Sequence, residues 1–322
     1  MYNAVMPKGA FLAVPLAAVL VISLLPLQLI AETPVRTALG IDVDFYTGPI
    51  SHDVWQRLKE ANHKFLVAQA WGGRSQNEFA ASQLAGARSI GMKTAAYVLL
   101  NYDDKVCPTF AKPLRDARGK CAGDLILQTE PGGRWQVQQG ITALGKEFEK
   151  VAFIAIDIEW FVSSAPPSHS TAQAHRRQYI LDALNEIQRY GKKAVIYTRN
   201  GTGHWLDITG CEATSSEPEC TALYKRINDS ALPIALWDVE EGAPTLDSFR
   251  PHGEWVQRLG RQYKLDKNVF GLPPGRTVDL NVFDMSLFVP EASKQPSKYH
   301  KSTAKSPPSR IEGQRKAVRR PS

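Results

Sequence analysis

Short apolar runs alternate with amphipathic stretches through the middle of the chain. Leu39–Asp44, Phe65–Ala68, Thr94–Leu100, Val151–Glu159, Ala194–Tyr197, Leu232–Val239 and Val278–Phe283 read as buried strands, too short and too evenly apolar for helices. Between them lie helical patterns. Ser51 is placed to cap a helix carrying Val54, Trp55, Leu58 and Ala61, Phe79–Ile90 is stopped by Gly91, and a long helix with Ile180, Leu184 and Ile187 on one face ends at Gly191. Another helix precedes the Val151 run. Strand alternating with helix predicts an α/β fold, a parallel sheet with crossover helices. The sheet is a barrel or an open doubly wound array. No GxGxxG follows the first strand and no GxxxxGK[ST] occurs, so the open array lacks its usual nucleotide-binding marks.

Polar residues interrupt these runs at their ends. Asp157 and Glu159 close the Val151 run two residues apart, and alternation along a strand points both to one side. Two carboxyls sharing one buried face push each other's pKa values apart, the condition for acid/base work on a glycosidic bond. Such chemistry needs carboxyl groups about 5–5.5 Å apart for retention or about 6.5–9.5 Å for inversion. Asp42, Asp44, Asp238 and Asp279 also stand at strand ends, which converge on one face in a barrel. Tyr46, Trp71, Tyr97, Tyr102, Trp160, Tyr197, Trp205, Trp237 and Tyr263 lie near those ends and offer flat faces to sugar rings, with Trp160 directly after Glu159. Asp42, Asp44, Asp157 and Glu159 could instead hold a hard cation, but no EF-hand-like loop or grouped histidines accompany them, and no G-x-S-x-G elbow marks a serine hydrolase. No metal or cofactor is expected.

Composition changes the picture at the two ends. The chain has 322 residues and a net charge of +7, yet the nine basic and two acidic residues from Glu291 onward carry all of it. The first 290 residues are balanced, which argues against a nucleic-acid-binding domain. Residues 291–322, rich in Lys, Ser, Pro and Arg, read as a basic disordered tail, able to touch an anionic wall polymer or membrane surface. Residues 1–31 hold an uncharged apolar stretch, Phe11–Ile30, ahead of Ala31. This reads as a signal peptide or an uncleaved N-terminal anchor, and either way as export to the cell envelope or beyond. Four cysteines fit an oxidising compartment. They allow three pairings; the local ones, Cys107–Cys121 and Cys211–Cys220, each close one loop. Asn200-Gly201-Thr202 and Asn228-Asp229-Ser230 are glycosylation sequons.

The order of segments from about residue 38 to 288 resembles glycoside hydrolase family 25, the secreted muramidases. The resemblance rests on Gly40-Ile41-Asp42-Val43, on Gly48-Pro49-Ile50 with Trp55, and on Ile156-Asp157-Ile158-Glu159. Ile196-Tyr197-Thr198, Leu236-Trp237, Gln262-Tyr263 and Val278-Asp279-Leu280-Asn281-Val282-Phe283 complete it. It implies an irregular (β/α) barrel, TIM-barrel-like, over residues 32–290, acting as a monomer on the β-1,4 bond after N-acetylmuramic acid in peptidoglycan. It implies Glu159 as acid/base, Asp157 serving the acetamido group or sugar centre, and Asp42 and Asp279 completing an acidic cleft. Trp71, Tyr97, Trp160, Tyr197, Trp237 and Tyr263 are then the expected substrate contacts. Asp44, Gln69–Gly73, Tyr97-Val98, Asp238–Glu240 and Arg261 depart from the family pattern, which marks a divergent member. A non-catalytic glycan-binding protein on the same fold, or a hydrolase of another polysaccharide, are the alternatives.

Overall fold

The computed structural model describes residues 37–102, 132–159, 170–201, 203–212 and 214–289. The leader, Cys107, Cys121, Trp160 and the basic tail lie outside the described residues. Eight strands close into one barrel in chain order. They are β1 (Thr37–Val43), β2 (Phe65–Gly72), β3 (Lys93–Leu99), β4 (Phe153–Asp157), β5 (Lys193–Thr198), β6 (Ala235–Val239), β7 (Gly260–Lys267) and β8 (Val278–Asp284). The helices are α1 (His52–Glu60), α2 (Ala80–Ser89), α3 (Gly132–Leu144), α4 (Ser170–Arg189), α5 (Trp205–Thr209) and α6 (Pro218–Ile227).

The barrel is not all parallel. β1 to β7 pair in parallel, but β8 runs antiparallel to both β7 and β1. A parallel return needs a long crossover, usually a helix. Residues 268–277 contain none, so the chain reverses into β8. Asp279 therefore sits at the start of its strand, yet at the same barrel end as Asp42 and Asp157, which close theirs.

Local signals hold where they are strong. Ser51 accepts a bond from the Val54 amide at 3.4 Å and opens α1. Gly91 and Gly191 follow α2 and α4 with φ of 88° and 69°, a left-handed conformation that a side chain would strain. Cys211 and Cys220 form a disulfide that ties the loop after α5 to α6. Among the described residues no helix is long and apolar enough to cross a membrane.

Strand alternation divides the apolar residues into two shells. Ile41, Leu66, Val98, Ile156, Ile196 and Leu236 face outward and pack with helix residues such as Leu58, Leu84, Val137, Ile180 and Leu184. Phe65, Val67, Ala95, Phe153, Ala155, Val195 and Phe283 face inward. Phe65, Phe153, Phe283 and Phe288 plug one end of the barrel, with ring centroids between 4.8 and 6.0 Å apart. Glycine makes room for them. A Cβ on Gly40 would meet the Phe65 ring at 2.4 Å, and one on Gly260 the Phe283 ring at 2.3 Å.

Candidate active site

The inward positions nearest the opposite end are polar. Asp42 of β1, Gln69 of β2, Tyr97 of β3, Asp157 of β4, Tyr197 of β5, Trp237 of β6, Gln262 of β7 and Asp279 of β8 line a cavity of about 430 Å³. Glu159 lines it too, two residues beyond the end of β4. Asp44, Phe45 and Tyr46 from the β1–α1 loop, and Arg74 and Ser75 from the loop after β2, form another wall.

A hydrogen-bonded frame fixes the floor. The Tyr197 hydroxyl donates to Gln262 Oε1 at 2.7 Å. That bond turns the amide so that Gln262 Nε2 donates to Asp42 Oδ1 at 2.9 Å and to Asp279 Oδ2 at 3.0 Å. On the other side Trp237 Nε1 donates to Asn281 Oδ1 at 2.9 Å, and Asn281 Nδ2 donates to Asp42 Oδ1 at 2.6 Å. The Asp266 backbone amide donates to Asp279 Oδ1 at 2.6 Å. Two acids are thus set by two side-chain amides, whose own orientation is fixed by a phenol and an indole.

Asp157 stands outside this frame. Its side chain is buried, and Oδ1 has no hydrogen-bond partner among the described residues. A buried acceptor without a donor carries a desolvation penalty. Burial, then the charges of Glu159 and Asp42, push its pKa well above the usual carboxylate value. Burial and the neighbouring Asp279 do the same to Asp42. Burial also raises Asp279, to about 6.

Glu159 is raised to about 7, by burial first and Asp279 second, with the Arg199 charge pulling the other way. Its Oε2 lies 3.7 Å from His204 Nε2. Arg199 Nε donates to His204 Nδ1 at 3.3 Å. A ring accepting at Nδ1 carries its proton on Nε2, toward Glu159. A carboxyl that half-ionises near neutral pH can both give and take a proton there.

Several expected contacts are placed differently. Trp71 does not line the cavity: it is buried outside the barrel, its indole donating to Gln136 Oε1 at 3.1 Å and its ring edge-on to Trp135. A register shift between Gln69 and Trp71 turns it outward. Tyr263 also packs in the outer shell, because Gln262 takes the inward position. Trp205 is buried and bonded to the Cys211 carbonyl. Asp238 faces outward to Arg258 at 2.9 Å, part of a clamp in which Arg258 and Arg261 also hold backbone carbonyls of residues 240–247. Tyr97, Tyr197 and Trp237 line the cavity with Asp42, Asp157, Glu159 and Asp279. Among the described residues no group of three or more His, Cys, Asp or Glu side chains is placed to hold a metal ion.

The sequence reading left out Asn281, His204, Arg199 and Arg74 as site residues. Asn281 was accessible to it, being two residues from Asp279 on the same strand face. His204, Arg199 and Arg74 sit on loops, where no periodicity announces direction.

No protein-family model matches the chain. Over 119 residues it is 27% identical to lysozyme-like protein 3 of Caenorhabditis elegans, 37% of this chain and 36% of that protein. The match thus spans about a third of the curated relative's length. Among solved structures it is similar to a muramidase from Trichobolus zukalii, with 14% identity, a TM-score of 0.47, and coverage of 76% of this chain and 93% of that one. It is also similar to the spore cortex lytic enzyme SleM of Clostridium perfringens, with 15% identity, a TM-score of 0.48, and 78% and 68% coverage. The modular autolysin LytC of Streptococcus pneumoniae gives 14% identity, a TM-score of 0.49, and 77% and 47% coverage.

Proposed function

We propose that the chain is an exported glycoside hydrolase that cleaves the β-1,4 bond between N-acetylmuramic acid and N-acetylglucosamine in peptidoglycan. The observation that carries this reading is Glu159, raised to about 7 at the mouth of a cavity floored by three other acids. The partial identity to a lysozyme-like protein supports the choice of glycan.

Glu159, protonated, gives its proton to the leaving oxygen as the C1–O bond breaks. The acetamido oxygen of the same sugar attacks C1, and its N–H gains positive character. Asp157 accepts that N–H with the oxygen that has no partner among the described residues. Glu159, now a carboxylate, takes a proton from the water that attacks C1, which reopens the intermediate with retention. Asp42 and Asp279, held by Gln262 and Asn281, shape the floor beneath the ring. The apolar stretch of residues 11–30 would direct export, and the basic tail would hold the enzyme near an anionic wall.

The test is the appearance of new muramic reducing ends when purified protein digests peptidoglycan. Wild-type protein should release them, and Glu159→Gln should be slower by about 10² or more, the usual loss with a general acid. No release from several wall types, or a Glu159→Gln protein of unchanged rate, would sink the proposal.

A further inference from the structure

Glu159 stands two residues beyond the end of β4, so the sheet ladder alone does not aim it. The residue before it is held on both sides by β5. The Ile158 amide donates to the Tyr197 carbonyl at 2.9 Å. The Ile158 carbonyl belongs to the planar peptide joined to Glu159, and it accepts from Thr198 Oγ1 at 3.0 Å. That hydroxyl has a second bond: it accepts from the Trp205 amide at 3.1 Å. Thr198 is fully buried and does not line the cavity.

Trp205 is itself fixed. Its indole donates to the Cys211 carbonyl at 3.2 Å, and its own carbonyl accepts from Thr209 Oγ1 at 2.7 Å. Cys211 is tied by its disulfide to Cys220 of α6. His204, the residue before Trp205, places Nε2 3.7 Å from Glu159 Oε2. One buried hydroxyl thus joins the backbone leading into Glu159 to the backbone leaving His204.

Resting on Glu159 as the proton donor proposed above, we infer that Thr198 is a positioning residue, whose hydroxyl fixes the direction of the Glu159 side chain and its spacing to His204. Volume alone does not require a hydroxyl here. Valine would fill the same space, but it would strand the Ile158 carbonyl and the Trp205 amide without partners. The peptide before Glu159 would then turn to find others, and a reacting group misplaced by about 1 Å can cost about 10² in rate.

The charged and titratable groups acting on Glu159 are Asp157 on β4, Tyr197 on β5, Asp279 on β8, and Arg199 and His204 after β5. Thr198 adds no charge to that set, so its loss reaches Glu159 through geometry. Burial is the first cause of the raised Glu159 pKa. A side chain released toward solvent should therefore titrate lower, moving from about 7 toward 4.5.

The test is the series Thr198→Ser, Thr198→Cys and Thr198→Val in the full chain. It is read by kcat and KM on soluble peptidoglycan fragments. It is read without turnover by carboxyl-carbon NMR of glutamate-labelled protein, with Glu159→Gln identifying the Glu159 signal. Thr198→Ser should keep most of kcat, Thr198→Cys less, and Thr198→Val should lose about 10- to 10²-fold, with KM little changed. The Glu159 midpoint should fall in the same order. Packing alone would reverse that order, because valine matches the volume of threonine and serine does not. Should Thr198→Val fail to fold, the order of serine and cysteine still decides. Unchanged kcat in the cysteine and valine proteins, a serine protein as slow as the valine one, or a Glu159 midpoint that does not move across the series overturns the inference. Absence of turnover in the wild type would remove the hydrolase reading; a Glu159 midpoint that still falls from serine to valine would keep the positioning role.

Discussion

The two ends of the barrel are built from the same strands and obey opposite rules. At one end Phe65, Phe153, Phe283 and Phe288 fill the interior ring against ring, with Gly40 and Gly260 cleared to admit them. At the other, a few residues along the same inward faces, Asp42, Asp157 and Asp279 are held where burial opposes their ionisation. The first end is stabilised by what it buries. The second is destabilised by it, and the raised carboxyl pKa values are the measure of that opposition. Stability should therefore respond at the plug and chemistry at the floor, with little crossing between them.

The largest effect expected is at the plug. Phe283→Ala should lower unfolding stability by about 3–5 kcal/mol, because it removes a buried ring and leaves a cavity. Denaturant midpoints measure this, and the folded fraction should keep the parent pH–rate profile. A changed profile would show that the two ends are not separable.

Asp157→Asn inverts that outcome. Cleavage should fall by about 10² or more if Asp157 supports the sugar centre. Stability should stay level or rise, by up to about 1 kcal/mol, since the amide removes a buried charge and its repulsion by Glu159 and Asp42. Parallel rate and denaturation measurements decide it; a large loss of stability would mean that Asp157 is a structural residue.

Smaller again is the pH dependence of stability. Glu159 rises from 4.5 to about 7 and Asp279 from 3.8 to about 6. Both hold protons more tightly folded than unfolded, so their contribution is fully present below about pH 4 and is lost as pH rises to about 7. The Glu159→Gln/Asp279→Asn protein should thus show a flatter change in denaturant midpoint between pH 5 and 8 than wild type. An equally steep change in both would remove these groups as its source. If Glu159 is the acid proposed above, the cleavage rate should fall on the alkaline side with an apparent pKa near 7, as it loses the proton it would donate.

The same division explains what could be read from residues alone. Strands whose outward faces are apolar, such as Val151–Ile158, stand out in the chain, as do helix ends marked by Ser51, Gly91 and Gly191. β7 did not stand out, because three of its four buried positions, Gly260, Arg261 and Gln262, carry no apolar side chain: two serve polar networks, Gly260 yields space to Phe283, and Tyr263 alone packs in the outer shell. Trp71 was misplaced for a different reason. Counting by twos from Gln69 points it inward, and a register shift one residue earlier reverses it. The acids were legible because carboxylates at the ends of apolar strands are conspicuous. The amides that hold them were not, since a Gln or Asn in a strand is ambiguous until its partner across the barrel is known.

Tyr197 tests whether those amides matter, and it carries the smallest effect. Its hydroxyl donates to Gln262 Oε1, and so keeps the Gln262 amide turned with Nε2 toward Asp42 and Asp279. Tyr197→Phe preserves the ring packed against Trp237 at 4.7 Å and removes that one bond. Loss of a buried hydrogen bond costs about 0.5–1.5 kcal/mol, so stability should fall modestly. The amide, released, can rotate its oxygen toward the carboxyls, which then ionise less readily. The expected signature is a slower enzyme with the acidic limb of its pH–rate profile, where Asp42 and Asp279 titrate, moved to higher pH. Gln262→Glu should move it further the same way by adding a like charge. If Tyr197→Phe changes stability and leaves the pH profile in place, the phenol is packing for the plug end of the barrel and the amide frame does not set the acids.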